Sequence, residues 1–419
     1  MIISEQVKSI LLEKALSNFL RYVKIWTTSE NDSTTFPSSM NQTELAKLLR
    51  EELKELGLEN IIQDNYGYVY AKLPASEGLE LVSPIGFIAH LDTAPAVTGK
   101  NVVPIMHKKY DGSVIKFPKN GDLTLSVADS PELENYLGMD IITSEGNTLL
   151  GADDKAGIAE IMAACAAWKI FPDLKHGPII ICFTPDEEVN KGTANIDCNK
   201  LPKICYTIDG GVIGELEFEC FDAWKANLKF KGINVHPGYA KNLMINAIHI
   251  ASRFLTDIPE SESPEHTEER EGFFHLGTLE GDTEQAEANM IIRDFEKVNN
   301  ERRMNYLKAL KDLYELKYPG LKIELNFEHQ YLNMYQYIKN DLKIVDLAKK
   351  AIELANIEVI IHPIRGGTDG SKLSEMGILT PNIFTGGHLF HSRKEYIPTV
   401  ALQKASEVII NLAYLWTNT

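Results

Sequence analysis

The chain is expected to fold as an α/β protein: a mixed, mostly parallel sheet covered by helices, interrupted by an inserted ferredoxin-like α+β domain. Three observations carry this expectation. Short, nearly all-apolar runs, PIGFIAHLD, PIIICFTPDEE and KICYTID, recur between helical or loop stretches, as in strands covered by helices on both faces. A fourth run, PNIFTGG, lies near the C-terminus, so the sheet draws strands from both ends of the chain. Between about Glu215 and His329 the pattern changes to strand, helix, strand, strand, helix, strand, the ferredoxin-like order.

From the N-terminus, Val7, Ile10, Leu11, Leu16, Phe19, Leu20 and Val23 recur at helical spacing, with charges throughout, so this stretch reads as a helix rather than a secretory apolar run. Thr43 to Leu56 repeats the helical period, and YGYVYAKLP reads as a strand. ADDKAGIAEIMAACAAW is a further helix. In the insertion, FDAWKANLKFKG, FFHLGTLEG, NMIIRDFE and LKIELNFE are the strands, with helices in NLMINAIHIASRFLTDI and from Asn300 to Leu316. The acidic stretch Glu260 to Glu271 is expected as a solvated loop. The catalytic domain is thus expected at 1–214 plus 331–419, and the insertion, a lid or dimerisation domain, at 215–330.

With 419 residues, 44% hydrophobic and 24% charged, the chain is long enough for two domains with proper cores, and disorder is excluded. Against 42 Lys+Arg stand 59 Asp+Glu, a net charge of -17 that repels nucleic acid and anionic lipid. No run of about 18 apolar residues occurs, so no membrane span is expected. The five cysteines, Cys165, Cys182, Cys198, Cys205 and Cys220, form no C-x-x-C pair and sit in core segments, the pattern of buried thiols in a reducing, cytoplasmic setting.

Open α/β sheets present functional residues at the carboxyl ends of their strands. Here those ends carry metal-ligand types: His90 and Asp92, then Glu187 and Glu188, then Asp209, and shortly after the last run His391. Asp153 and Asp154 open a helix. Singly, each has a plain reading, as a structural histidine, an exposed turn or helix-start acids. Together they would crowd carboxylates at one sheet edge, which is unfavourable without a compensating cation. Oxygen and nitrogen ligands without thiolate select zinc, manganese or cobalt. Five ligands, His90, Asp153, Glu188, Asp209 and His391, with one carboxylate shared, give each of two ions three protein ligands and an open position. Such a pair activates a water and polarises a carbonyl.

The motifs GFIAHLDT, LLGADDKAGIAEI, FTPDEEV, YTIDGG and TGGHLFHSRKE resemble the co-catalytic zinc exopeptidases, the family that includes carboxypeptidase G and succinyl-diaminopimelate desuccinylase. The resemblance spans essentially the whole chain and implies a zinc exopeptidase-like fold. It makes Asp153 the bridging carboxylate, with Glu188 and His391 completing one zinc site and His90 and Asp209 the other; Mn2+ or Co2+ are substitutes. Asp92 would accept the ring N–H of His90, and Glu187 would be the general base. Asp154 is left as a helix-start acid. His236 in VHPG resembles the family's oxyanion-stabilising histidine, while Arg293 in IIRDF and Arg365 in IRGGTDG resemble its arginines for a substrate carboxylate. For Arg293, an ion pair with Asp294 is the plain rival. Of the two histidines in GGHLFHSRKE, the motif favours His391 but leaves His388 open. The activity implied is removal of the N-terminal residue from tripeptides, with a dipeptidase, an N-acyl amino acid deacylase or a catalytically silent relative as alternatives. A homodimer is expected from the type of insertion.

Overall fold

The structure, a computed structural model, describes residues 3–418; residues 1, 2 and 419, at the outer bounds expected for the catalytic domain, lie outside the described residues. It divides into two compact units. One comprises the chain up to Phe218, Tyr337–His362 and the stretch from Thr368 onward; the other comprises Glu219–Gln336 with Pro363–Gly367.

The first unit is built on an eight-stranded mixed sheet in the order Glu59–Gln63, Val69–Leu73, Ile179–Thr184, Ile85–His90, Cys205–Gly210, Asn382–Phe384, Glu215–Glu217, Ile360–Ile361. Its four central strands, from Ile179–Thr184 to Asn382–Phe384, run parallel, and the first, second and seventh in this order pair antiparallel to their inner neighbours. Those central strands are the apolar runs: Ile85–His90 is buried at every position, as a strand covered on both faces must be. The helix Ala152–Ile170 is buried on nearly all sides and packs against the helices Glu5–Tyr22 and Thr399–Trp416. Its small residues allow close approach to the sheet. At Gly157 a Cβ would collide with the Ile208 carbonyl oxygen and the Asp154 carboxylate, so this position seats the start of the helix against the strand that carries Asp209.

The long segment between Thr98 and Gly146 holds short strands that sequence periodicity does not reveal. Ile105–His107 and Tyr396–Pro398 flank Ile141–Thr143 in an antiparallel sheet, and Ile115–Phe117 pairs with Asn120–Leu125. Three-residue strands are too short to show alternation.

In the second unit four antiparallel strands lie in the order Phe273–Gly281, Gln285–Asp294, Asp222–Lys231, Lys322–Tyr331, with the helices Ala247–Thr256 and Lys297–Lys317 packed on the sheet. Phe230, Phe254, Met290, Leu307 and Tyr314 share its core. The segment Pro363–Gly367 belongs here and not with the catalytic unit, because Phe221 N donates to Ile364 O and Ile364 N to Glu219 O. The acidic stretch is more than a solvated loop. Glu262 pairs with Arg302 and Arg303 at 2.6 and 2.7 Å, which anchors its short turns to the long helix.

Candidate metal centre

The parallel strands deliver their carboxyl ends to one edge, and the expected ligands converge there. His90 ends its strand, buried, with Nε2 2.8 Å from Asp153 Oδ1 and 3.4 Å from Asp209 Oδ1. The other oxygen of Asp153, Oδ2, lies 3.0 Å from His391 Nε2, which is in turn 2.9 Å from Glu188 Oε2. Two groups of three result: His90, Asp153 and Asp209, and Asp153, Glu188 and His391. Asp153 offers one oxygen to each. A second oxygen of Glu188, Oε1, is buried and without a hydrogen-bond partner.

The surroundings fix these groups. His90 Nδ1 is 3.0 Å from the Asp92 carbonyl oxygen and 3.4 Å from its carboxylate. The nearer acceptor for the ring N–H is thus the main chain of Asp92 rather than the side chain expected. With Nδ1–H on that carbonyl, Nε2 is the nitrogen turned toward Asp153 and Asp209. The Asp92 carboxylate instead accepts Glu187 N at 3.0 Å and Glu188 N at 3.2 Å, and so holds the turn that carries the expected base and one of the expected ligands. That turn begins at Asp186, a non-glycine at φ 60°, pinned by Gln42 Nε2 on its Oδ1 and Ser38 N on its Oδ2, both at 2.6 Å.

Several supporting residues were given no site role from the sequence. Asp154 does more than start a helix: fully buried, it accepts His90 N at 2.9 Å and Gly157 N at 3.2 Å. Asp369 is buried and accepts Thr184 Oγ1 at 3.0 Å; burial pushes its carboxyl up to about 7. Glu395, buried, accepts three backbone amides around Asp153. All three lie within motifs quoted above, but the motifs alone do not say which main-chain or hydroxyl groups they hold.

Electrostatically the cluster is short of positive charge. Burial, then Asp153 close by, pushes Glu188 up to about 8, and burial raises Asp209 and Glu187 as well. Asp153 goes the other way. Burial opposes its ionisation, but hydrogen bonds from His391 and His90 overcome it and hold it below the ordinary carboxylate range. His391, bonded to Asp153 and Glu188, is pushed up to about 11. Nitrogen and oxygen donors without thiolate, a shared carboxylate and an unpartnered buried oxygen together fit a pair of divalent cations.

His388 stands apart from both groups. Its Nε2 lies 2.8 Å from Tyr136 Oη, its ring stacks on Tyr396 at 4.5 Å, and burial draws it down to about 4. The remaining expected residues lie in the second unit. His236 is exposed, and its Nδ1 accepts Gly238 N at 3.1 Å, which leaves the ring proton on Nε2 as a free donor. Arg293 does not pair with Asp294, which takes Arg303 at 2.6 Å. Its guanidinium donates to the Trp224 and Ile292 carbonyls and to Gln330 Oε1, over the Tyr331 ring. Arg365 donates to the carbonyls of Thr267, Glu269 and Glu271 and to Thr267 Oγ1, between Phe221 and Phe273. Both forks are therefore engaged within their own unit.

A parallel sheet edge bearing two candidate ligand triads around one shared carboxylate, in a chain with an inserted ferredoxin-like domain, is the arrangement a dinuclear metallopeptidase would need. Comparison with known proteins agrees. Residues 219–321 match the peptidase dimerisation domain family. Peptidase T of Halothermothrix orenii is 47% identical over 406 residues, covering 97% of this chain and 99% of that relative, and peptidase T of Bacillus thuringiensis is 48% identical over 96% and 98%. Among solved structures, aminopeptidase PepT from Bacillus cereus superposes with a TM-score of 0.76 at 23% identity, covering 97% of this chain and 98% of that one. A dinuclear metal-binding peptidase of the M20 family from Bacillus subtilis gives 0.67 at 14% identity, over 98% and 99%. The chain belongs to the peptidase T family and is an aminopeptidase. No helix among the described residues is long and apolar enough to cross a membrane.

Proposed function

We propose that this aminopeptidase removes the N-terminal residue from tripeptides with two zinc ions, one held by His90, Asp153 and Asp209 and the other by Asp153, Glu188 and His391. The observation that carries the reading is the division of the Asp153 carboxylate between the two triads. When bound, the zinc pair would supply Lewis-acid activation of a water and of the scissile carbonyl.

The chain's own groups do the rest. Glu187, next to a ligand but in neither triad, takes the proton of the attacking water on its carboxylate and passes it to the nitrogen of the leaving amine. Its turn is held by the Asp92 carboxylate and by Asp186, so the base is pre-positioned. The Asp92 carbonyl keeps His90 in the tautomer that presents Nε2 to the site. His236 is assigned to the oxyanion by the resemblance of VHPG, and with Nδ1 accepting Gly238 N its Nε2–H is the donor for that role. The assignment of Arg293 and Arg365 to the terminal carboxylate rests on motif position, since the structure engages both forks elsewhere.

A homodimer is proposed from the match of 219–321 to a dimerisation domain, and a cytoplasmic setting from five cysteines that all remain free thiols. The test is hydrolysis of an alanine or leucine tripeptide by zinc-loaded protein, beside the matching dipeptide, tetrapeptide and N-acetyl tripeptide. Release of the N-terminal residue from the free tripeptide alone is expected. Preference for the dipeptide would make it a dipeptidase, and preference for the acetylated compound a deacylase.

A further inference from the structure

The residues from His388 to Tyr396 form a tight loop closed at its base by reciprocal backbone bonds between those two positions, at 2.9 and 3.1 Å. Tyr396 then enters the small sheet opposite Thr143, which ties the base of the loop to a second element. His391 sits within the loop in the left-handed region, at φ 58°, and reaches Asp153 Oδ2. Four residues on, Glu395 is 1% exposed and reaches the main chain beneath the same aspartate: Oε2 accepts Leu150 N at 2.7 Å and Gly151 N at 2.8 Å, and Oε1 accepts Asp153 N at 3.2 Å.

The helix that Asp153 opens has Gly151 at its N-cap, which has no side chain to satisfy the first amides. The Glu395 carboxylate, 242 residues away, takes Asp153 N among those amides, and also the N–H groups of Leu150 and Gly151 just before the helix. It brings one more acid beside a cluster already rich in carboxylates, where Ser, Thr or Asn would cap the helix without adding charge.

We infer that Glu395 is a positioning residue for the shared carboxylate: it holds the main chain at and just before Asp153, so that the two carboxylate oxygens are set toward their separate triads. The inference rests on the two-ion reading above. A grip of this kind acts on both ions at once, because each depends on one oxygen of the same aspartate. Loss of a partner that orients a ligand lowers metal affinity about 10- to 100-fold.

The experiment is zinc titration against a chromophoric chelator for the wild type and Glu395→Gln, with far-UV circular dichroism and apo-protein unfolding as controls, followed by kcat and KM for a tripeptide at saturating zinc. The amide keeps the size of the side chain but turns an N–H group toward amides that need an acceptor. Zinc affinity is expected to fall about 10- to 100-fold at both sites, and kcat to fall at saturating zinc while KM stays within about twofold. If E395Q lowers only the apo-protein's stability and binds two zinc ions with wild-type affinity, Glu395 is a helix cap and the inference is overturned. Should E395Q lose its fold, Glu395→Asp is read in its place. It keeps the charge but is one methylene too short to reach all three amides, and wild-type zinc affinity in it overturns the inference equally. A wild-type chain that takes up fewer than two ions refutes the site reading itself, and is seen before any variant is compared.

Discussion

Glu160 lies in the middle of the helix Ala152–Ile170 with no exposure to solvent, and neither carboxyl oxygen has a hydrogen-bond partner among the described residues. Burial alone raises its carboxyl well above the ordinary value of 4.5, so it is neutral in the fold where the unfolded chain would ionise it. The sign follows from proton linkage. Above about 4.5 the unfolded chain releases this proton and the folded chain keeps it, so stability falls as pH rises, until the folded group itself ionises. While it stays protonated in the fold, each pH unit costs up to about 1.4 kcal/mol. Glu160→Met keeps the length of the side chain and removes both the titration and the unsatisfied oxygens; the latter adds a pH-independent gain of about 1–3 kcal/mol. The assay is urea unfolding of wild type and variant at pH 5, 6 and 7 with saturating zinc. The site carboxylates titrate alike in both proteins and cancel in the difference. The variant's advantage should therefore widen by up to about 1.4 kcal/mol per unit. Parallel stability curves would refute the reasoning, because they would mean that Glu160 ionises in the fold or has found a partner.

Glu187→Gln should retain two zinc ions by titration yet lower kcat about 10²- to 10⁴-fold, and a loss under tenfold would remove Glu187 from the role of base. Chelation of metal should abolish hydrolysis and lower the melting temperature, with both restored by zinc, since an ion bound only by the folded chain stabilises it. Because Arg365 fastens the carbonyls of Thr267, Glu269 and Glu271, Arg365→Met should expose that loop to proteolysis, seen as new cleavage near residues 267–271 on a gel. If instead its only effect is a raised KM for tripeptides and not for their C-terminal amides, the carboxylate role assigned from the motif stands.

The main sheet could be read from the chain because a parallel strand covered on both faces is apolar at nearly every position, and Ile85–His90, Ile179–Thr184 and Cys205–Gly210 are largely apolar runs. The insertion was legible for a different reason: its strands alternate, as in Lys322–Tyr331, where buried and exposed positions take turns. The small sheets between Thr98 and Gly146 were not legible, since strands as short as Ile105–His107 carry no period. Nor was the transfer of Pro363–Gly367 to the second unit, which depends on backbone bonds to Glu219 and Phe221 that any sequence could make.

The same distinction runs through the site. His90, Asp209 and the Glu187–Glu188 pair each follow an apolar strand directly, so the periodicity that marks the strand also marks its end, and a ligand type there stands out. The residues that hold them leave no such mark. Ser38 meets Asp186 across 148 positions and Glu395 meets Leu150 across 245, and in each case at least one side of the bond is a main-chain N–H that every residue but proline carries. A carboxylate that satisfies such groups differs from a solvated one only in what lies opposite, and that is a property of the fold. This is why the motif TGGHLFHSRKE gave His391 a role but gave none to Glu395, its last residue, although Glu395 takes the Asp153 N–H.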